Sequence, residues 1–242
     1  MNRNIIKTIG ILGGMGPEAT ALFFQKIVQL TPAENDQDHI KIVIYNNPEV
    51  PDRTGAILKK NESPVAKIKE GVIFLANSDV DFITIPCVTA HYFFKEIITS
   101  VNIPVLNMVS LTVDYIKKYY PERINVGVLA TIGTYIGKII ESELNQSKLK
   151  TIIPDMDGQK NLMESIYGRK GIKAGYLTGY SKDLILTVAD DLIQKGADII
   201  IGGCTEIPLA LKQEDIKVPF IDSLAVLAEA AVVKAGLTPK PR

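Results

Sequence analysis

The sequence predicts an α/β fold in two pseudo-symmetric, doubly wound halves with parallel sheets. Two observations carry this. Short β-branched apolar runs alternate with amphipathic stretches along all 242 residues, the pattern of buried parallel strands joined by right-handed helical crossovers. One set of spacings also occurs twice. Asp81 and Cys87 bracket an apolar run, as do Asp198 and Cys204, 117 positions later. The same offset carries Ile9-Gly10-Ile11-Leu12 onto Val126-Gly127-Val128-Leu129 and Gly16 onto Gly133. Ile103-Pro104-Val105-Leu106-Asn107 returns as Val218-Pro219-Phe220-Ile221-Asp222 at an offset of 115. An ordered repeat of this length marks an internal duplication.

Taken in order, strands are expected over 8–12, 40–45, 82–85 and 105–107, then over 125–129, 151–153, 198–201 and 220–222. Between them Val65, Ile68, Val72, Leu75 and Ala76 recur at helical spacing, and Leu184, Val188, Leu192 and Ile193 do the same in the second copy. The chain is expected to leave the first half near 104–110 and return near 208–219. A last helix over 223–234 would then pack on the first half. The domains read as 1–106 plus 222–242, and 107–221, with the active site in the cleft between them.

Lys and Arg total 27 and so do Asp and Glu, so no basic field exists to hold nucleic acid or an anionic membrane. The first residues lack the apolar core of a signal peptide, and no run is long enough to span a bilayer. A cytoplasmic protein acting on a small molecule is expected. In that compartment thiols stay reduced, which disfavours a disulfide between Cys87 and Cys204.

Both cysteines fall at carboxyl ends of strands, where active sites of open α/β sheets form. Two like thiols at equivalent places suggest two proton carriers facing one substrate from opposite sides. Each is expected just before a helix, where amide dipoles favour a thiolate. Gly13-Gly14-Met15-Gly16-Pro17 follows the first strand and opens a helix at Pro17, offering amides to an anion. No acidic residue closes the next strand as a dinucleotide site requires, and no Gly-Lys-Ser/Thr follows, so a carboxylate suits this turn better. Arg53 presents a planar fork for a carboxylate, and Lys173 lies in a comparable segment of the second half. Cys87 and His91, four apart on one face, leave other readings open: zinc ligands with Cys204 and His39, or nucleophile and base of a single-cysteine hydrolase or decarboxylase. A binding protein without turnover is a third.

Four segments resemble the cofactor-independent aspartate/glutamate racemase superfamily, in its aspartate branch. These are Gly13 to Thr20, Asn47 to Thr54, Pro86-Cys87-Val88-Thr89-Ala90-His91 and Gly203-Cys204-Thr205-Glu206-Ile207-Pro208-Leu209. The resemblance spans nearly the whole chain. It implies racemisation of aspartate, with glutamate as a second candidate substrate, Cys87 and Cys204 as paired acid and base, and no pyridoxal phosphate or metal. By the same resemblance Arg53 and Lys173 hold substrate carboxylates, Met15 and Thr89 line the pocket with Val88 and Thr205 beside the thiols, and the protein is a homodimer. Val88 departs from the asparagine common after the first cysteine, which removes a donor and acceptor beside the reacting centre and bears on substrate choice.

Overall fold

The structure is a computed structural model that describes residues 6–241. The opening residues 1–5, read above as carrying no apolar leader, and residue 242 lie outside the described residues. The first half runs β1 (Ile9–Gly13), α1 (Pro17–Leu30), β2 (Ile42–Asn46), α2 (Arg53–Ile57), α3 (Val65–Ala76), β3 (Phe82–Thr84), α4 (Phe94–Ile98) and α5 (Met108–Tyr119). The second runs β4 (Asn125–Leu129), α6 (Ile132–Ile136), α7 (Ile139–Gln146), β5 (Lys150–Ile152), α8 (Met156–Tyr167), α9 (Tyr180–Gln194), β6 (Ile199–Gly202), α10 (Ile207–Ala210), β7 (Phe220–Asp222) and α11 (Ser223–Lys234).

Two parallel sheets form, ordered β2-β1-β3 and β5-β4-β6-β7. β1, β3 and β6 are buried at every position, as unalternating apolar runs require. The strand expected over 105–107 contracts to one bridge, Ile83 to Val105. That bridge still repeats the β6–β7 register, in which Ile200 pairs with Phe220.

The duplication extends to hydrogen bonds. Asp81 Oδ2 accepts from Thr8 N at 2.7 Å and Asp198 Oδ1 from Asn125 N at 3.2 Å, so the aspartates of the repeated pattern anchor strand entries, six residues before each thiol. Asn107 caps α5 by accepting from Val109 N and Ser110 N, and Asp222 caps α11 through Leu224 N and Ala225 N, each cap stabilising by about 1 kcal/mol.

α11 packs against both α1 and α5. Leu224, Val226, Leu227 and Val232 are buried, each contributing roughly 1.5–3 kcal/mol. Lys26 bridges Asp222 at 2.9 Å, and Lys7 N donates to Ala235 O at 3.0 Å. The last helix thus returns to the first half. No helix among the described residues is long and apolar enough to cross a membrane.

Candidate active site

Each thiol sits in the loop at the carboxyl end of a buried strand. Cys87 follows β3 and precedes a 3-10 turn, Thr89–Phe93; Cys204 follows β6 and precedes the four-residue α10. Both are free and about 5% exposed. The glycine turns after β1 and β4 cross to the opposite half. A Cβ at Gly16 would lie 3.2 Å from Lys173 Nζ and Glu206 Oε1, and one at Gly133 would lie 2.9 Å from Thr54 Oγ1. Each turn therefore meets the short helical segment of the other half, α2 or the 3-10 turn Ile172–Ala174, as a pseudo-twofold axis demands. Gly14 permits its turn: φ is +94°, and a Cβ there would stand 2.2 Å from Asn47 O, which leaves no room for a side chain.

Charged groups converge on this axis. Arg53 is buried and donates to Met15 O, Val50 O and Pro51 O at 3.1–3.2 Å, which leaves Nε buried without a partner. Burial alone would lower the guanidinium's pKa, but the negative forms of Cys87, Tyr167 and Asp52 outweigh it and hold the pKa above its ordinary value. Lys173 bonds Glu206 Oε1, while Glu206 Oε2 accepts from Cys204 Sγ at 2.9 Å and Thr205 Oγ1 at 3.3 Å. Burial would lower the Lys173 pKa, and Glu206 with the negative forms of Cys204 and Cys87 raises it instead. The ammonium of Lys173 therefore lies within electrostatic reach of both thiols. Burial, then Glu206, pushes the Cys204 thiol well above its usual range, with Lys173 opposing. This corrects the expectation that a helix N-terminus would favour a Cys204 thiolate: α10 spans four residues and starts three beyond the sulfur, too short and too distant to compete with a buried carboxylate.

A cavity of about 520 Å³ opens outward from the Lys173–Glu206 pair, rimmed by Gly16, Pro17, Glu18, Ala174 and Gly175. Cys204 lies one hydrogen bond behind its wall. Deeper between the halves, the hydroxyls of Thr54, Thr89, Thr131 and Thr134 form a chain with separations of 3.3–3.4 Å.

The Asp/Glu/hydantoin racemase family model matches residues 12–231. The chain belongs to this family. It is similar to the broad specificity amino-acid racemase RacX of Bacillus subtilis, at 32% identity over 93% of this chain and 96% of the relative. It also resembles the solved aspartate racemase of Picrophilus torridus, at 36% identity and TM-score 0.86, covering 97% and 96% of the two chains. A glutamate racemase from Francisella tularensis, at 17% identity and TM-score 0.66 over 98% and 85%, shares the two-domain fold. An amino-acid racemase of the Asp/Glu family, and so an isomerase, is the class these likenesses establish.

Within this racemase, Cys87, Cys204, Arg53, Lys173, Thr89 and Thr205 all gather at the axis. Met15 joins them through its carbonyl on Arg53 while its side chain is buried in the first-half core beside Cys87. Val88 turns the other way, into a small core void with Val109, Val113, Ile140 and Ile201. His91 is spent on the backbone. Nδ1 bonds Cys87 O at 2.9 Å and Nε2 accepts from Met108 N at 3.0 Å, leaving no lone pair to serve as the base of a single-cysteine hydrolase or to ligate zinc. Among the described residues no three His, Cys, Asp or Glu side chains cluster as a metal site. The sequence reading missed Glu206, Tyr167, Thr131 and Thr134 as site residues. The repeat itself held the signal for Glu206, since the offset of 117 that pairs the thiols puts Thr89 in its place.

Proposed function

We propose that the protein interconverts L- and D-aspartate through two opposed thiols, without pyridoxal phosphate, and that glutamate is a further candidate substrate. What carries this is the meeting of the two thiol loops between the halves: Glu206, bonded to Cys204, and Lys173 stand against Gly16 of the first half, while Thr89, two residues after Cys87, bonds Thr131 and Thr134 of the second. The likeness to the Picrophilus torridus aspartate racemase supports the choice of aspartate. The α-carboxylate would take the unpartnered Arg53 Nε, and the side-chain carboxylate would compete with Glu206 for Lys173.

In one direction Cys87 as thiolate removes the α-proton, and the C–H electron pair delocalises into the carboxylate held by Arg53. Cys204 then gives its S–H proton to the opposite face of the same carbon. The sulfurs have exchanged protonation states, and solvent resets them. The reverse direction uses the reverse roles. Closure of the two bodies, 1–106 with 222–242 and 107–221, would exclude water and strengthen these interactions. A homodimer in the cytoplasm completes the proposal.

The test incubates purified protein with L-aspartate in deuterated buffer without added cofactor. Chiral chromatography and α-hydrogen exchange are followed, with glutamate and neutral amino acids in parallel to read the substrate range. D-aspartate carrying solvent deuterium is expected. Neither product nor exchange with any of them would overturn the proposal.

A further inference from the structure

We propose that Glu206 is a positioning residue that makes the two thiols unequal, holding Cys204 as the resting proton donor and leaving Cys87 to begin as the base. This rests on the two-thiol reading above. The duplication supplies an internal control. Two positions after Cys204 the second half carries Glu206, about 4% exposed; two positions after Cys87 the first half carries Thr89, whose hydroxyl joins Thr131 and Thr134. Only one thiol of the pair thus has a carboxylate in its own loop.

Glu206 is fixed from both ends. Lys173 holds Oε1, and Oε2 accepts hydrogen bonds from Cys204 Sγ and Thr205 Oγ1. A carboxylate accepting S–H stabilises the thiol and opposes the thiolate by like charge. The other groups that feel Cys204 are Lys173 from the turn Ile172–Ala174, Tyr167 from α8 and Tyr135 from α6. Both phenols are held protonated by burial first of all, and Tyr135 is occupied with Ala130 N and Val128 O. Lys173 and the backbone amide of Glu206 pull toward the thiolate, and the ammonium of Lys173 is paired with the Glu206 carboxylate.

The consequence is kinetic and thermodynamically constrained. Enantiomers have equal free energies, so kcat/KM must be equal in the two directions. The enantiomer that Cys204 deprotonates needs the minority form of the enzyme, so its apparent dissociation constant is the intrinsic one divided by that form's population. Its KM and its kcat both exceed those of the other enantiomer, by one common factor. Glu206 sets that factor.

Two measurements test this. In Cys87→Ala protein, the pH profile of Cys204 alkylation by iodoacetamide is compared with that of Cys87→Ala/Glu206→Gln. We expect the midpoint to fall by about one pH unit or more with Glu206→Gln, equivalent to roughly tenfold faster alkylation below the midpoint, and Glu206→Asp to restore it in part. An unmoved midpoint would overturn the proposal. Should Glu206→Gln fail to fold, the infrared S–H stretch of Cys204 in Cys87→Ala protein reads the same hydrogen bond: a red-shifted band supports it, and a free-thiol band rejects it. The second measurement compares kcat and KM for L- and D-aspartate. Unequal values in the wild type that converge in Glu206→Gln support the proposal; equal values in the wild type refute it. Alkylation does not need turnover, so a protein that racemises nothing yet shows the shifted midpoint would sink the two-thiol function and leave the hold of Glu206 on Cys204 standing.

Discussion

In the first half, the glycine turn after β1 feeds α1, one unbroken helix of 14 residues; in the second, the matching turn feeds α6 and α7, split at Lys138 with φ 49°. Thr20 accounts for part of the contrast, since its hydroxyl bonds Gly16 O and receives Gly14 N, whereas the duplicate position holds Gly137. The second half also inserts α8 between β5 and the turn that carries Lys173, and α8 delivers Tyr167 to Asp52 of the first half at 3.3 Å. The strands, their register and their anchors were kept, while the loops at the strand ends diverged. A scaffold fixed by buried parallel pairing tolerates such change, because loop tips carry chemistry without carrying the core.

The comparison can be broken at the thiols first. Cys87→Ala and Cys204→Ala should each lower racemisation by at least about 10²–10⁴-fold, the range for losing one acid–base group. One of the two should still exchange α-hydrogen on a single face. Full racemisation by either variant would mean that the halves do not act as a pair.

Arg53→Lys comes next. It keeps the charge and loses the fork, so the carbonyls of Met15, Val50 and Pro51 and the α-carboxylate compete for one ammonium. Activity should fall roughly ten- to a hundredfold, from about 1.5–3 kcal/mol per charged hydrogen bond, mainly through KM for the substrate. Steady-state kinetics with intact thermal unfolding would sharpen the contrast with Lys173, which already shares its charge with Glu206.

Gly14→Ala should cost more than about 1 kcal/mol, because the positive φ and the Asn47 backbone both exclude a Cβ. Thr131 holds the equivalent place in the second half without such crowding, so Thr131→Ala should cost less. Chemical denaturation of the two variants decides it.

His91 gives a pH-dependent difference, since Pro208 replaces it in the other half. Burial lowers its pKa below 6.5, against the backbone of Cys87 and Leu106, which favours the charged ring. The unfolded chain therefore takes up a proton that the folded one refuses, and the stability this provides is present above pH 6.5 and lost as the pH falls toward the folded pKa. The slope approaches about 1.4 kcal/mol per pH unit for one proton. His91→Asn should flatten the acid side of the Tm profile; an unchanged slope would assign that loss to other groups. The smallest effect is expected at the strand entries, where Asp81→Ala, losing one bond of 2.7 Å, and Asp198→Ala, losing three of 3.2–3.4 Å, should each destabilise on the order of 1 kcal/mol in chemical denaturation.

Much of this was legible before any coordinates. The β4, β7 and α11 boundaries fell where the apolar runs and the repeat put them, because burial and local hydrogen bonding decide those ends. The 105–107 strand shrank to one bridge, Ile83 to Val105, whereas its duplicate β7, at the edge of the other sheet, keeps three paired residues. His91 misled as a possible base or ligand, since its spacing from Cys87 says nothing of the two backbone groups that claim its ring.

The order of residues alone determined the duplicated parallel sheets and the equivalent placement of two thiols, because strand burial and repeat spacing are written locally. Tertiary structure decided that Arg53 spends three donors on carbonyls, that Lys173 pairs with Glu206, and that Cys204 is the thiol tied to a carboxylate. Those outcomes depend on which groups burial forces together across the halves, where desolvation and a few ångströms set the charge state.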